Sequence, residues 1–345
     1  MGKLKYLGAF LTPLLAYMAF NVSGIFAYTG VFVLYLLVPV LEQLLPQNTY
    51  NFTKTEKELA KKDKFYDWIL YFLVLFQVYL VYDFLTTVSN PDITTSDLIA
   101  SVIMMGTLIG VNGINGGHEL GHKTDHPLKL FFAQVLLTTS MQNHFMTYHN
   151  SGHHRDVGTP NDLTTAKKGQ SFYSFALQSQ IGGYFKTWKL EAEILKIKGK
   201  SQWFNRMIIY TIVPWTFIGL IFYVFGWYVA LLYFAASVFG ISILESQNYF
   251  SHYGLKRKQN ADGSYERVKA QHSWNSDHIL GRIILFELSR HSDHHFMGAK
   301  PYQILESKEE SPLLPCGYPA MLILGYFPFI FRPLMAKQMK RYGWD

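Results

Sequence analysis

Long apolar runs alternate with short polar segments over the first three quarters of this 345-residue chain. A helix needs about 20 mainly apolar residues to cross the hydrocarbon core of a bilayer, and six runs approach that length. Only 16% of the residues are charged, against roughly 25% in ordinary soluble domains. The sequence therefore predicts an all-α integral membrane bundle of about six transmembrane helices, near 6–22, 24–44, 66–88, 97–118, 207–225 and 228–250.

The loop charges orient this bundle. Lysines precede the first run and fill the 45–65 loop, whereas the loop at 89–97 has no lysine or arginine. Because basic loops stay in the cytoplasm, the N-terminus and the regions beyond the histidine clusters are predicted to be cytoplasmic. The net charge of +7 then indicates loops facing anionic lipid. No nucleic-acid motif accompanies that charge, and we expect no nucleic-acid partner.

We interpret the chain as one domain, 1–345, because no Pro/Gly/Ser-rich linker divides it. Residues 1–95 would form the N-terminal helices, and 96–345 the histidine-rich catalytic region. The apolar N-terminus lacks a signal-peptide cleavage site and continues to about Leu45, which favours two crossings over a leader. The single cysteine, Cys316, excludes internal disulfides, zinc ribbons and cysteine-ligated iron–sulfur clusters.

Three further segments have distinctive patterns. The run at 127–146 is apolar but has a histidine cluster at each end, which predicts a re-entrant or steeply inclined helix. The periodicity at 277–296 predicts one amphipathic helix that ends in another cluster. The segment at 319–335 is rich in Phe, Leu and Pro, and we expect it to lie on the membrane surface.

Eight of the 13 histidines fall into three clusters, at 118–122, 149–154 and 291–295, and His252 ends another apolar run. Pairs at i, i+3 or i+4 place several imidazoles on one helix face, where they can converge on metal. The first cluster also matches the zinc-protease pattern H-E-x-x-H, with Glu119 as general base. One catalytic zinc needs only three protein ligands, so the surplus of histidines favours two metal ions. Imidazole alone does not select the metal.

The histidine-containing stretches resemble those of the membrane-bound histidine-box desaturases, hydroxylases and alkane monooxygenases. They are most similar to the alkane 1-monooxygenase branch. The resemblance covers roughly residues 110–335, whereas the N-terminal third matches only in its hydrophobic pattern. The stretches are 115–123 (NGGHELGHK), 144–154 (HFMTYHNSGHH), 244–255 (LESQNYFSHYGL), 272–276 (HSWNS) and 289–295 (SRHSDHH).

This resemblance implies a non-haem di-iron centre that uses O2 and two electrons to hydroxylate the terminal methyl group of a hydrophobic substrate. The expected substrate is a medium- or long-chain n-alkane. The alternatives are an alkyl-aromatic methyl hydroxylase, a fatty-acyl desaturase or hydroxylase, a zinc-dependent intramembrane protease and a metal transporter that uses the histidines as a path. Carried over position by position, the two iron ions would be bound by His118, His122, His149, His153, His154, His252, His291, His294 and His295.

Carboxylates near these ligands are expected to orient the imidazole rings from behind. By proximity in sequence the candidates are Glu119, Asp156, Asp162, Glu245, Asp277 and Asp293. Two positions depart from the alkane branch. Ser251 stands where an acidic residue usually precedes the histidine of the H-Y-G motif, and Tyr148 stands where Glu usually precedes the second cluster.

The electrons must come from a separate protein, because the chain has no C-x-x-C pair. The resemblance implies a rubredoxin-type donor with its reductase. A cytoplasmic basic region suits an acidic donor or, equally, anionic lipid headgroups: Lys167, Lys168, Lys186, Lys189, Lys196, Lys198, Lys200 and Arg206. We expect a bacterial inner-membrane enzyme whose active site faces the cytoplasm. Candidate residues for gating a substrate channel are Phe20, Phe26, Tyr35, Phe76, Tyr79 and Met105.

Overall fold

The computed structural model describes residues 2–344, which are almost entirely helical and contain no β-strand. Only two isolated β-bridges occur among them. Four helices are continued or interrupted by π turns, including Ile109–Ile114 and His149–His153. In chain order the helices are α1 (Leu11–Asn21), α2 (Gly24–Leu44), α3 (Lys54–Lys62), α4 (Phe65–Val88), α5 (Thr95–Gly121), α6 (Pro127–Thr139), α7 (Phe145–Tyr148), α8 (His154–Asp156), α9 (Phe172–Leu177), α10 (Gly183–Ile197), α11 (Arg206–Phe225), α12 (Trp227–Ser251), α13 (Ile279–Ile284), α14 (His291–Phe296), α15 (Tyr318–Leu324) and α16 (Pro328–Arg341).

Five helices are long and apolar enough to cross a membrane: α2, α4, α5, α11 and α12. They correspond to five of the six predicted spans. At the predicted first span, the chain instead forms a 3-10 segment, Lys3–Phe10, followed by the 11-residue α1. This combined segment still runs along α4. Lys3 pairs with Asp63 at 2.6 Å at one end, and Asn21 Nδ2 donates to Asp83 at 2.8 Å at the other.

The two ends of the bundle differ sharply in charge. The chain has no lysine or arginine between Lys5 and Lys54, between Lys64 and Lys123, or between Arg206 and Lys256. These gaps contain the turns near residues 22, 90 and 226, which lie together at one end of the helices. All 31 basic residues therefore lie toward the opposite end, which we call the histidine end because α5 and α12 finish there at histidines.

The close packing of α5 against α12 fixes the distance between two of the histidine-bearing helix ends. A Cβ on Gly106 would lie 2.7 Å from the carbonyl oxygen of Ala236, and one on Gly240 would lie 2.7 Å from the carbonyl oxygen of Gly106. A Cβ on Gly110 would lie 3.0 Å from the carbonyl oxygen of Gly240. Small residues four apart on each helix thus let the two backbones touch, as is typical of membrane helix pairs.

Helix α6 leaves the histidine end, and the chain then returns to it. Pro127 occupies the first turn of α6, where its missing N–H costs no hydrogen bond. At the far end of the helix, the carbonyl oxygen of Thr139 accepts the hydroxyl of Tyr233, and the side chain of Gln77 also donates to Thr139. Met141 then turns the chain with φ 56°, and α7 begins at Phe145. This path agrees with the predicted re-entrant or inclined helix.

The single helix predicted at 277–296 is wrong. The structure has two short helices, α13 and α14, separated by Phe286 and Glu287 at φ 53° and 57°. The buried Glu287 carboxylate explains the break, because it is held by Arg282 Nε at 2.5 Å and Lys5 Nζ at 2.7 Å. The segment at 319–335 likewise divides into α15 and α16, with Phe329 exposed and Phe331 buried.

Candidate metal centre

Separate parts of the chain bring histidines together at the histidine end. Helix α5 carries His118 in its last turn, and His122 follows the helix directly. The chain from α7 to α8 passes through the π turn His149–His153, a geometry often found at functional sites. His252 comes directly after α12, and α14 begins at His291. All nine predicted ligands therefore lie around one point.

The first group of rings consists of His118, His122, His149 and His294, whose ligand nitrogens all lie within 4.8 Å of one another. Nε2 of His118 lies 2.9 Å from Nε2 of His149 and 3.0 Å from Nε2 of His122. Two nitrogens that each bind one ion at about 2.1 Å, at a right angle, are about 3.0 Å apart. The spacing therefore suits a shared metal ion.

The second group has similar geometry and consists of His153, His252, His291 and His295. Nε2 of His291 lies 3.0 Å from Nε2 of His252, and Nε2 of His153 lies 3.2 Å from Nε2 of His295. His154 connects the groups. Its Nε2 lies 2.9 Å from Nε2 of His149, while its ring stacks on His295 with centroids 4.5 Å apart. Two adjacent groups with one ring between them can hold two metal ions.

Burial keeps several of these histidine rings neutral, as metal ligands must be. Burial, and then the neighbouring imidazoles, holds the pKa of His149 and His294 well below the ordinary value. Burial, followed by His153, lowers the pKa of His252 to about 3. Neutral rings keep the nitrogen lone pair that a metal ion needs. A set made only of imidazoles suits iron, copper, zinc or nickel, so the donor chemistry fits iron without selecting it.

Asp162 is the predicted carboxylate that touches a ligand ring. Its Oδ2 accepts a hydrogen bond of 2.8 Å from Nδ1 of His153, which leaves Nε2 directed at the second group. Tyr148 and the side chain of Thr164 donate to the other oxygen at 3.1 and 2.7 Å. Burial raises the pKa of Asp162, but its electrostatic interaction and hydrogen bond with His153, together with hydrogen bonds from Thr165 and Thr164, outweigh burial and hold the pKa below its usual range. Such contacts fix the tautomer and orientation of a metal-binding histidine.

The other five predicted carboxylates make different contacts among the residues described. Glu119 accepts the backbone N–H of Tyr302, and Asp156 pairs with Arg155 and Lys186. Asp277 accepts the hydroxyl of Ser307 and lies 3.4 Å from Arg290. Asp293 pairs with Lys300 and Lys308. Gln180 donates to Glu245. In residues 2–344, no hydrogen bond joins these five to a ring of either group.

Sequence reasoning missed the partners that hold the ligands from behind. The carbonyl oxygen of His272 accepts from Nδ1 of His252 at 3.2 Å, and Ser273 Oγ lies 3.4 Å from the same nitrogen. Thr164 and Tyr148 complete the surroundings of Asp162. Tyr148 is one of the two departures from the family pattern. The only sequence signal for its hydrogen bond to Asp162 is the spacing between the two residues.

An apolar cavity opens onto both histidine groups, at His118, His149 and His291. A second apolar cavity lies deeper between the helices. The two share the wall residues Val111, Ile243, Leu285 and Leu322. Of the six predicted gating residues, Tyr35 lines the deeper cavity, and its hydroxyl lies 2.6 Å from Thr107 Oγ1.

The residues of the predicted basic region divide into two that form ion pairs and six exposed lysines. Lys186 and Arg206 form ion pairs, with Asp156 at 3.0 Å and with Glu191. The remaining six lysines are exposed: Lys167, Lys168, Lys189, Lys196, Lys198 and Lys200. Apolar side chains are exposed close by, among them Phe185, Ile197 and Trp203. The surface therefore combines free positive charge with exposed apolar groups.

The sequence profile of the fatty acid desaturase family matches residues 97–321. This chain belongs to that family. The match includes all nine histidines. Alkane 1-monooxygenase 1 of Alcanivorax borkumensis is 33% identical over 328 residues, which cover 94% of this chain and 81% of that protein.

Two further relatives extend the comparison. Alkane 1-monooxygenase 2 of Pseudomonas aeruginosa is 38% identical over 70% of this chain and 64% of its own length. The xylene/toluene monooxygenase hydroxylase component of Pseudomonas putida is 30% identical over 71% of this chain and 64% of its own length. The fold, the family and the apolar helices identify this chain as an integral membrane protein related to monooxygenases.

Proposed function

We propose that this protein is a non-haem di-iron monooxygenase that converts a medium- or long-chain n-alkane to the 1-alkanol. One observation carries the proposal: the apolar cavity ends where the two histidine groups meet, at His118, His149 and His291. An alkane has no polar group to recognise, so selection must come from the shape of an apolar space. The alkane 1-monooxygenase relatives support this substrate.

The nine histidines would hold two iron ions, which supply dioxygen activation and accept the two electrons. The chain itself must bind the substrate, aim its methyl group and exclude water. Val111, Ile243 and Leu322 line both apolar cavities, so a chain can extend from the metal centre into the helices between these side chains. Asp162 keeps His153 in the tautomer whose Nε2 faces the metal site.

A second candidate substrate is an alkyl-aromatic methyl group. The xylene/toluene monooxygenase relative favours it, together with Ser251 and Tyr148 at the two positions that depart from the alkane branch. The cavity is apolar enough for either substrate, and its walls distinguish them only by shape.

The electrons would come from a separate rubredoxin-type protein with its reductase, on the cytoplasmic side of a bacterial inner membrane. We infer that this donor docks on the exposed lysines from Lys167 to Lys200. Opposite charges on an acidic carrier and a basic surface speed their encounter and favour their binding. Replacing Lys189 and Lys196 by Glu should raise the donor concentration for half-maximal turnover, most strongly at low salt. The same double change at Lys54 and Lys62 is the control. Equal effects at both places would rule out the docking site.

The function is tested on purified protein in lipid. Metal analysis should give two irons per chain, whereas one zinc with negligible iron would contradict the di-iron centre and favour the protease. Octane, hexadecane, xylene and a fatty acid are then supplied separately with O2, rubredoxin, its reductase and NADH, and the products are identified. We expect 1-alkanols. A preference for xylene would select the second candidate, and hydroxylated or desaturated fatty acid would overturn both.

A further inference from the structure

Two cavities reach the metal centre, with a partition of three side chains between them. Besides the apolar cavity, a second cavity contacts His149 and His153, and we call it the polar cavity because most of the residues that line it have polar side chains. Its remaining walls include Gln142, His144, Thr164, Ser179, Gln180 and Glu245. Only Phe145, His149 and Asn248 line both spaces, so these three side chains form the partition.

Glu245 is the acidic residue in the wall of this polar cavity. It lies on α12, is 2% exposed, and accepts a hydrogen bond from Nε2 of Gln180. Its second oxygen, Oε2, is buried and has no hydrogen-bond partner among the residues described. No ion pair joins Glu245 to a basic residue in residues 2–344. Burying a lone carboxylate is costly, whereas a neutral carboxylic acid can both keep its place and donate a proton.

A chain of polar side chains continues from Glu245 along the wall of the polar cavity. Gln142 Nε2 donates to Gln180 Oε1 at 3.1 Å, and Gln180 in turn donates to Glu245. Gln180 is only half-buried and so connects the buried Glu245 to a more exposed position, whereas Gln142 is buried. Within residues 2–344, the wall of the apolar cavity has Asn115, Gln247 and Asn248 but no acidic side chain.

The proposed reaction needs protons as well as electrons. Written in balance, RH + O2 + 2e⁻ + 2H⁺ gives ROH + H2O. One oxygen atom enters the C–H bond, the other is reduced to water, and the donor protein is oxidised by two electrons. An apolar cavity that excludes water cannot carry protons. We propose that Glu245 donates protons from the polar cavity to the oxygen atom that leaves as water, and is reprotonated from the solvent side. This inference rests on the proposed function.

Glu245→Gln tests the proposal because it preserves the shape of the side chain and removes the exchangeable acid. Iron content, the electronic spectrum of the metal centre and the affinity for alkane should match the unaltered protein. Alcohol formation should fall by about 100-fold or more, which is the usual contribution of a general acid. Electrons should still be consumed and appear as hydrogen peroxide, and the effect of D2O on the residual rate should change.

Glu42→Gln is the matched control. Glu42 is also a buried glutamate in a membrane helix, α2, and its Oε2 likewise has no hydrogen-bond partner within residues 2–344. Its other oxygen accepts the N–H of Gly281, and it lines neither cavity at the metal centre. This variant should remain coupled, with alcohol formed in step with the electrons used.

The outcomes separate the two levels of inference. If the unaltered protein forms no alcohol from any alkane, the proposed function is wrong. If it does so and Glu245→Gln retains normal coupling and rate, only the proton role of Glu245 is wrong. Loss of iron from Glu245→Gln would also overturn the role, since Glu245 would then hold the metal centre together.

Discussion

At the scale of single residues, the hydrogen bond between Asp162 and His153 decides which ring nitrogen can bind metal. Asp162→Asn should weaken metal binding at the second histidine group by about 10- to 100-fold, as is usual when a carboxylate behind a metal-binding histidine is lost. Titrating metal-free protein with iron, and counting the ions retained after dialysis, measures the effect. We expect one of the two ions to be lost first.

Asp156→Asn is the matched control for this change. Asp156 was an equally good candidate by sequence, but it pairs with Arg155 and Lys186 and makes no hydrogen bond to a ligand ring within residues 2–344. It should therefore retain both ions. If both variants lost the same amount of iron, the carboxylates would act only by stabilising the fold. The hydrogen bond from His153 to Asp162 would then have no specific role in metal binding.

The contrast between these two residues shows what a sequence can predict at this scale. Histidine spacing indicated eight of the nine rings that the structure brings together, because the clusters recur at helical periods, and the family resemblance added His252. The carboxylates behind them could not be chosen by proximity. Asp293 directly precedes His294, yet its carboxylate turns to Lys300 and Lys308. The direction of a short acidic side chain depends on basic side chains that other segments of the fold place beside it.

At the scale of helices, the contact between α5 and α12 sets the distance between His118 and His252. Gly240→Val should force these helices apart, because its new side chain would meet the backbone of Gly106 and the side chain of Ile109. Overpacking of this kind costs about 1–3 kcal/mol. We therefore expect a lower thermal unfolding temperature and less bound iron, measured on protein in the same detergent.

Gly219→Val provides the comparison within the same membrane. Gly219 lies on α11, and a Cβ there would have no heavy atom within 4 Å. The new side chain therefore faces open space, and stability and iron content should stay unchanged. If the two valine variants behaved alike, the glycine contact between α5 and α12 would not be what positions the histidines.

The helices also show where periodicity misleads. Five predicted spans and the path of α6 agree with the structure, because length and apolarity dominate there. The helix predicted at 277–296 failed for a tertiary reason. Glu287 is held by Arg282 on its own segment and by Lys5 from the far N-terminus, and this buried ionic contact favours a left-handed turn over a continuous helix. No local pattern can anticipate a partner 282 residues away.

At the scale of the whole molecule, the chain is polarised along the membrane normal. Basic residues, histidine groups and the polar cavity lie at one end, while the apolar cavities extend from that end into the helices. Lipid-dissolved substrate and water-borne protons would thus approach the same metal centre without sharing a route. The electron donor must bind on the side of the membrane that the histidine end faces.

The distribution of basic residues predicts that sidedness, and single cysteines can measure it. Cys316 is first replaced by Ser, and one cysteine is then introduced at Asn90, in the turn without basic residues, or at Ser201, beside Lys200. Both positions are exposed. Because lysine-rich ends remain in the cytoplasm, a membrane-impermeant maleimide should label the cysteine at 90 in intact spheroplasts and that at 201 only after lysis. The reverse pattern would place the histidine end outside, beyond the reach of any cytoplasmic donor.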